Sequence, residues 1–139
     1  MEFFLYLNQN TLELIRTIQN LKYSITENDS ICVNSYVTGA VKYPQKIFSI
    51  CTDNIKTNAN DAIYVINRVV THESLHVAHM CNGSKPLGIS KINISNKKLE
   101  NIQRSLSLGK NINYDIEYEA YMMEDNPQKV NQYIKTFCF

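Results

Sequence analysis

A chain of 139 residues, 44% apolar and 19% charged, is long enough to bury a sizeable core and too apolar to stay disordered. A net charge of +1 with no long basic run argues against a dedicated nucleic-acid surface. No apolar stretch reaches the length that crosses a bilayer, so the expectation is one domain over residues 1–139 with no membrane partner.

The first residues, Met1-Glu2-Phe3-Phe4-Leu5-Tyr6-Leu7, are apolar but carry no basic leader and no small-residue cleavage site. They are expected to form a short strand or a segment packed on the core rather than a signal peptide, which points to a cytoplasmic protein. Asn10 or Thr11 can cap a helix whose stripe is Leu12, Ile15, Ile18 and Leu21. Residues 31–41, rich in Val, Ser, Tyr and Thr around Gly39, predict one or two short strands. Gln45 to Ile50, after Pro44, predicts another, with Cys51-Thr52-Asp53-Asn54 as its exit turn. From Asn60 to Asn82 there is no Pro and no Gly, and Gly83 follows, so a long helix is expected there.

Gly83 to Asn93 reads as a loop. Ser95 can cap a helix running to about Leu108 and ended by Gly109, and Asn111 to Asp125 reads as a further helix. Asn126-Pro127 caps a last helix, with Pro at its first position and a stripe of Val130, Tyr133, Ile134 and Phe137. Helices at both ends with a few strands between them predict the α+β class. The four cysteines (Cys32, Cys51, Cys81, Cys138) match no CxxC metal pattern and are expected to be reduced, buried and apolar in role, with Cys81–Cys138 pairing as the alternative.

The chemistry is concentrated in the long helix. Residues 72–76 read His-Glu-Ser-Leu-His, the HExxH pattern. On a helix, positions i and i+4 share a face, so His72 and His76 can offer two ring nitrogens to one metal ion. Glu73 projects beside them, within reach of a proton on a metal-activated water. Val65, Val69 and Met80 share the histidine stripe, and Ile66, Val70, Val77 and Cys81 form a second one. A helix apolar on two sides is buried, and buried histidines need partners. A metal would serve; the plainer reading is core histidines bonded to backbone or carboxylates.

Catalytic zinc takes three protein ligands and a water, so a third ligand must come from elsewhere. The densest downstream carboxylates are Asp115, Glu117, Glu119, Glu124 and Asp125. Glu117 precedes the small Ala120 by three residues, which would let its helix approach another closely. Glu119 points roughly 160–200° away from Glu117, so both cannot easily serve one ion. Glu124, two turns on from Glu117, can orient a ligand. The plainer reading is a solvated acidic helix face.

These residues carry a family resemblance. His72-Glu73-Ser74-Leu75-His76 followed by Glu117-Tyr118-Glu119-Ala120 resembles zincin-like metallopeptidases of the gluzincin type, including the small ImmA/IrrE-like peptidases. The resemblance implies a Zn2+ site with His72, His76 and Glu117 as ligands, Glu73 as general base, and a peptide or protein as substrate. Glu119 is the alternative ligand. Tyr121 stands where the ImmA/IrrE-like pattern carries Asn, and the metzincin pattern fails at His79 and Asn82. His79 lies about 10 Å along the axis from His72, too far to complete one tetrahedral site with both histidines. It is expected either to support a ligand from behind or act on a transition state near the site mouth, or to be a polar residue at the helix end, where a positive charge suits the dipole. Tyr114, Tyr118, Tyr121 and His79 are the candidates by type for stabilising an oxyanion. A zinc-binding interaction domain without hydrolysis, and a metal-free domain with an accidental motif, are the competing expectations.

Overall fold

A computed structural model describes residues 1–107 and 113–139. The elements run α1 (Gln9–Asn20), β1 (Ser24–Glu27), β2 (Gly39–Lys42), β3 (Ile47–Ile50), α2 (Thr52–Asn58), α3 (Ala62–Cys81), α4 (Asn96–Ser107), α5 (Tyr114–Met123) and α6 (Pro127–Cys138). The α+β expectation holds. The strands form one sheet in the order β1-β3-β2, with β1 parallel and β2 antiparallel to β3. No helix among the described residues is long and apolar enough to cross a membrane.

The organising element is α3. Asp61 caps it by accepting from the Tyr64 N–H, and Gly83 at φ +72° ends it, with Ser84 N–H returning to the His79 carbonyl. Glycine takes that left-handed conformation without the steric penalty of a Cβ. Ile66, Val70, Leu75, Val77 and Ala78 have no exposed surface, so the helix is covered on several sides, as its two stripes predict. Helices α1, α5 and α6 and the sheet pack around it. Phe3, from a 3-10 turn at Glu2–Tyr6, joins the same core.

Several expectations shift. Helix α1 is capped by Asn8 rather than Asn10 or Thr11, and its buried face is Thr11, Leu14, Ile15, Thr17 and Ile18. The apolar-only stripe misses this face because its threonines are satisfied in place. Thr17 Oγ1 lies 3.0 Å from Asn131 Oδ1 of α6, and Thr11 Oγ1 donates to Asn67 Oδ1 of α3. Strand β1 has no counterpart among the expected elements. Its sequence has one apolar residue in four, but Thr26 bonds Ser49 and Asp29, and Glu27 accepts from Thr52. Residues 30–33 form a 3-10 turn instead of a strand, and residues 52–58 are a short helix instead of an exit turn. The expected end of α4 at Leu108 and Gly109, and the expected helix start at Asn111, lie outside the described residues.

The cysteines are also corrected. All four are paired, as Cys32–Cys51 and Cys81–Cys138, so they are not free thiols. The second bridge ties the last turn of α3 to the last turn of α6.

Candidate metal centre

Helix α3 presents His72 and His76 toward a cavity of about 1180 Å³ bounded by β2, α3, α4 and α5. Ring nitrogens of His72 and His76 and a carboxylate oxygen of Glu73 all lie within 4.8 Å of one another. Helix α5 comes close through Ala120, which has no exposed surface, as the small residue at that position predicts. Its approach delivers Glu117 directly onto the histidines. Glu117 Oε1 is 2.7 Å from His76 Nε2, and Oε2 is 3.6 Å from His72 Nε2. Glu117 is only 3% exposed, so the acidic run is not a solvated face.

The residues fit a metal. Two imidazoles and a carboxylate are the donor chemistry of a catalytic zinc site. Donor atoms of a tetrahedral site with bonds of 2.0–2.1 Å lie about 3.3 Å apart. The observed 2.7 and 3.6 Å spacings bracket that value, the shorter one being the His76–Glu117 contact. His72, partly buried, with the buried Glu73 and His76 forms a group that could hold a metal ion, and Glu117 stands against its two histidines.

The charges are strongly coupled. Burial alone would lower the His72 pKa, but the Glu117 carboxylate 3.6 Å away, with Glu73 and Glu124 beyond, pushes it up to about 9. Burial alone would raise the Glu117 carboxyl, but His76 and His72 hold it well below the usual carboxylate range. Burial pushes the Glu124 carboxyl up, against the pull of His72, Lys98 and Arg68. Lys98 and Arg68 reach Glu124 at 3.9 and 3.7 Å.

Glu119 faces elsewhere. It accepts from the backbone N–H of Leu87, Gly88 and Ile89 at 2.8, 3.0 and 2.9 Å, and from His79 Nε2 at 2.8 Å. With those bonds made, Glu117 and not Glu119 is the carboxylate at the histidine pair. His79 is fully buried rather than at the site mouth, and its Nδ1 is 3.2 Å from His76 Nδ1. Burial and then the charge of His76 push the His79 pKa down to about 4, against Glu119.

Of the four oxyanion candidates, only Tyr121 lines the cavity, its ring edge-on to His72 at 4.5 Å between centroids. Tyr118 donates its hydroxyl to the Ile92 carbonyl instead. Burial and the charges of Glu117 and Glu124 raise the Tyr121 pKa, so its hydroxyl stays protonated. Sequence reasoning missed the role of Gly39. A Cβ there would sit 3.0 Å from Glu73 Cγ and 2.9 Å from Val69 Cγ1, so the glycine is what lets β2 lie against Glu73. The only sequence signal was a glycine inside a strand-like run, which marks close backbone approach.

No curated protein and no solved structure matches the chain. A family model described as a domain of unknown function matches residues 3–139, so the chain belongs to the DUF8637 family.

Proposed function

We propose that this protein is a zinc-dependent metallopeptidase of the HExxH type with a zincin-like arrangement. The observation that carries the reading is Glu117, brought from α5 to within 2.7 Å of His76 and 3.6 Å of His72. His72, His76 and Glu117 would hold the ion. When bound, the ion supplies Lewis acidity, polarising a carbonyl and acidifying a water.

The chain's own residues do the rest. Glu73 takes the proton of the attacking water on its carboxylate and hands it to the leaving amine. The protonated Tyr121 hydroxyl donates to the developing oxyanion. The substrate is an extended peptide, and β2 supports this. Thr38 O accepts from Cys51 N–H, so Thr38, Ala40 and Lys42 turn their backbone groups to β3. Gly39 and Val41 therefore offer theirs to the cavity, where a peptide strand can add to the sheet edge. The two disulfides favour an oxidising setting for this reaction over a cytoplasmic one.

Elemental analysis with a peptide-library cleavage assay tests the reading. About one zinc per chain is expected, lost in Glu117→Ala and His76→Ala. Glu73→Gln should keep the metal and lose about 10²–10⁴-fold in cleavage. A wild-type chain that takes up no zinc overturns the proposal. Zinc without cleavage of any peptide would replace it with a non-catalytic zinc-binding interaction domain.

A further inference from the structure

Two buried side chains, His79 and Glu119, line up behind His76. Glu119 on α5 is 3% exposed and anchored by three consecutive backbone N–H groups of the 87–89 loop. A carboxylate can only accept, so the 2.8 Å contact with His79 requires a proton on His79 Nε2. The opposite single-proton form would set a bare ring nitrogen against the carboxylate. A second proton would charge a ring with no exposed surface, which is costly. His79 therefore carries one proton, on Nε2, and its Nδ1 is a lone pair.

That lone pair lies 3.2 Å from His76 Nδ1, so His76 must donate from Nδ1. Its Nε2, 2.7 Å from Glu117 Oε1, is then the nitrogen left to carry a second proton or, in that proton's place, a metal ion. A metal ion held by both His76 Nε2 and Glu117 would take the place of that proton and leave the Nδ1–H to His79.

We infer that His79 and Glu119 are positioning residues for His76: the chain 87–89 backbone, Glu119, His79 fixes the Nδ1–H tautomer of His76 and so presents its Nε2 lone pair to a metal ion. This rests on the zinc reading above. It makes metal affinity depend on a loop that does not touch the ion. An outer hydrogen-bond partner of a ligating histidine sets its tautomer and raises its basicity, and losing one lowers metal affinity about 10–100-fold.

The test is zinc affinity by competition with a chromophoric chelator, alongside ¹⁵N NMR of the histidines in metal-free wild type. His79→Leu should bind zinc about 10–100-fold more weakly. His79→Asn, whose amide oxygen can still accept from His76 Nδ1, should retain most of the affinity. The spectra should place the His76 proton on Nδ1 and the His79 proton on Nε2. Wild-type affinity in His79→Leu overturns the relay and leaves the zinc reading standing. A His76 proton on Nε2 alone does the same, and decides the matter even where His79→Leu does not fold. A wild-type chain without zinc overturns both the zinc reading and the positioning role of His79.

Discussion

Gly39 and Ser74 show how tightly single residues are constrained around the site. Adding a Cβ at position 39 brings it to 2.9 Å from Val69 Cγ1, 3.0 Å from Glu73 Cγ and 3.0 Å from the Ser49 carbonyl. The carbonyl belongs to the backbone of the neighbouring strand and cannot swing aside. Gly39→Ala is therefore expected to cost about 1–3 kcal/mol in urea unfolding and, on the proposed metallopeptidase reading, to weaken cleavage by displacing Glu73. Unchanged stability would mean the strand is freer than its packing indicates. Ser74 is the opposite case. Its hydroxyl is fully buried and lacks a hydrogen-bond partner among the described residues. An unmade buried bond is a net loss, so Ser74→Ala should raise stability by about 1 kcal/mol and leave zinc content unchanged. Clear destabilisation would reveal a hidden partner.

At the scale of elements, the site exists because α5 is held against α3 at two levels. Ala120 lets the helices approach, and below it Lys98 of α4 donates to the Tyr121 carbonyl at 2.9 Å while Arg68 of α3 pairs with Asp125 at 3.0 Å. The Cys81–Cys138 bridge then fixes the far end of α3 to α6. It closes 57 residues, and the loss of chain entropy for such a loop is worth about 4 kcal/mol. Reduction should therefore lower the urea midpoint sharply, and alkylation of the unreduced, denatured chain should find no thiol. Four reactive thiols in that assay would show that the bridges do not form. The apolar pattern could not reveal this pairing, because cysteine at 32, 51, 81 and 138 reads equally well as a small core residue.

For the whole molecule, the proposed zinc site would link metal binding to folding. Zinc at a free concentration of about 1,000 Kd should stabilise the fold by about 4 kcal/mol, seen as a zinc-dependent melting temperature. The metal-free chain has its own pH signature. His72, raised to about 9 by Glu117 against the effect of burial, contributes stability that is whole below its ordinary value of 6.5 and is lost as pH rises through 9. His79, lowered to about 4 by burial, works in the other direction. Between pH 6.5 and 4 the unfolded chain binds a proton that the folded chain refuses, so stability falls as pH drops. Glu117, held low, adds to the acid loss below its ordinary value of 4.5. Urea midpoints of chelator-treated protein should therefore peak near pH 6.5, and zinc should remove the alkaline limb. A metal-free profile that rises steadily to pH 9 would contradict the His72–Glu117 pairing.

Much of the site was legible in local spacing. HExxH on an uninterrupted run implies two histidines on one helix face, and the angular separation of Glu117 and Glu119 implies that they serve different partners. Both follow from the 3.6-residue period alone. Helix ends at Gly83 and Pro127 were legible for the same reason, since cap chemistry is local. The tertiary structure decided what depends on residues far apart in the chain: Glu117 rather than Glu119 at the histidines, His79 buried behind His76, β2 edge-on to the cavity, the unexpected β1, and both disulfides. Each of these depends on how separate elements pack, and a polar residue that finds its partner only after packing leaves no periodic trace in the sequence.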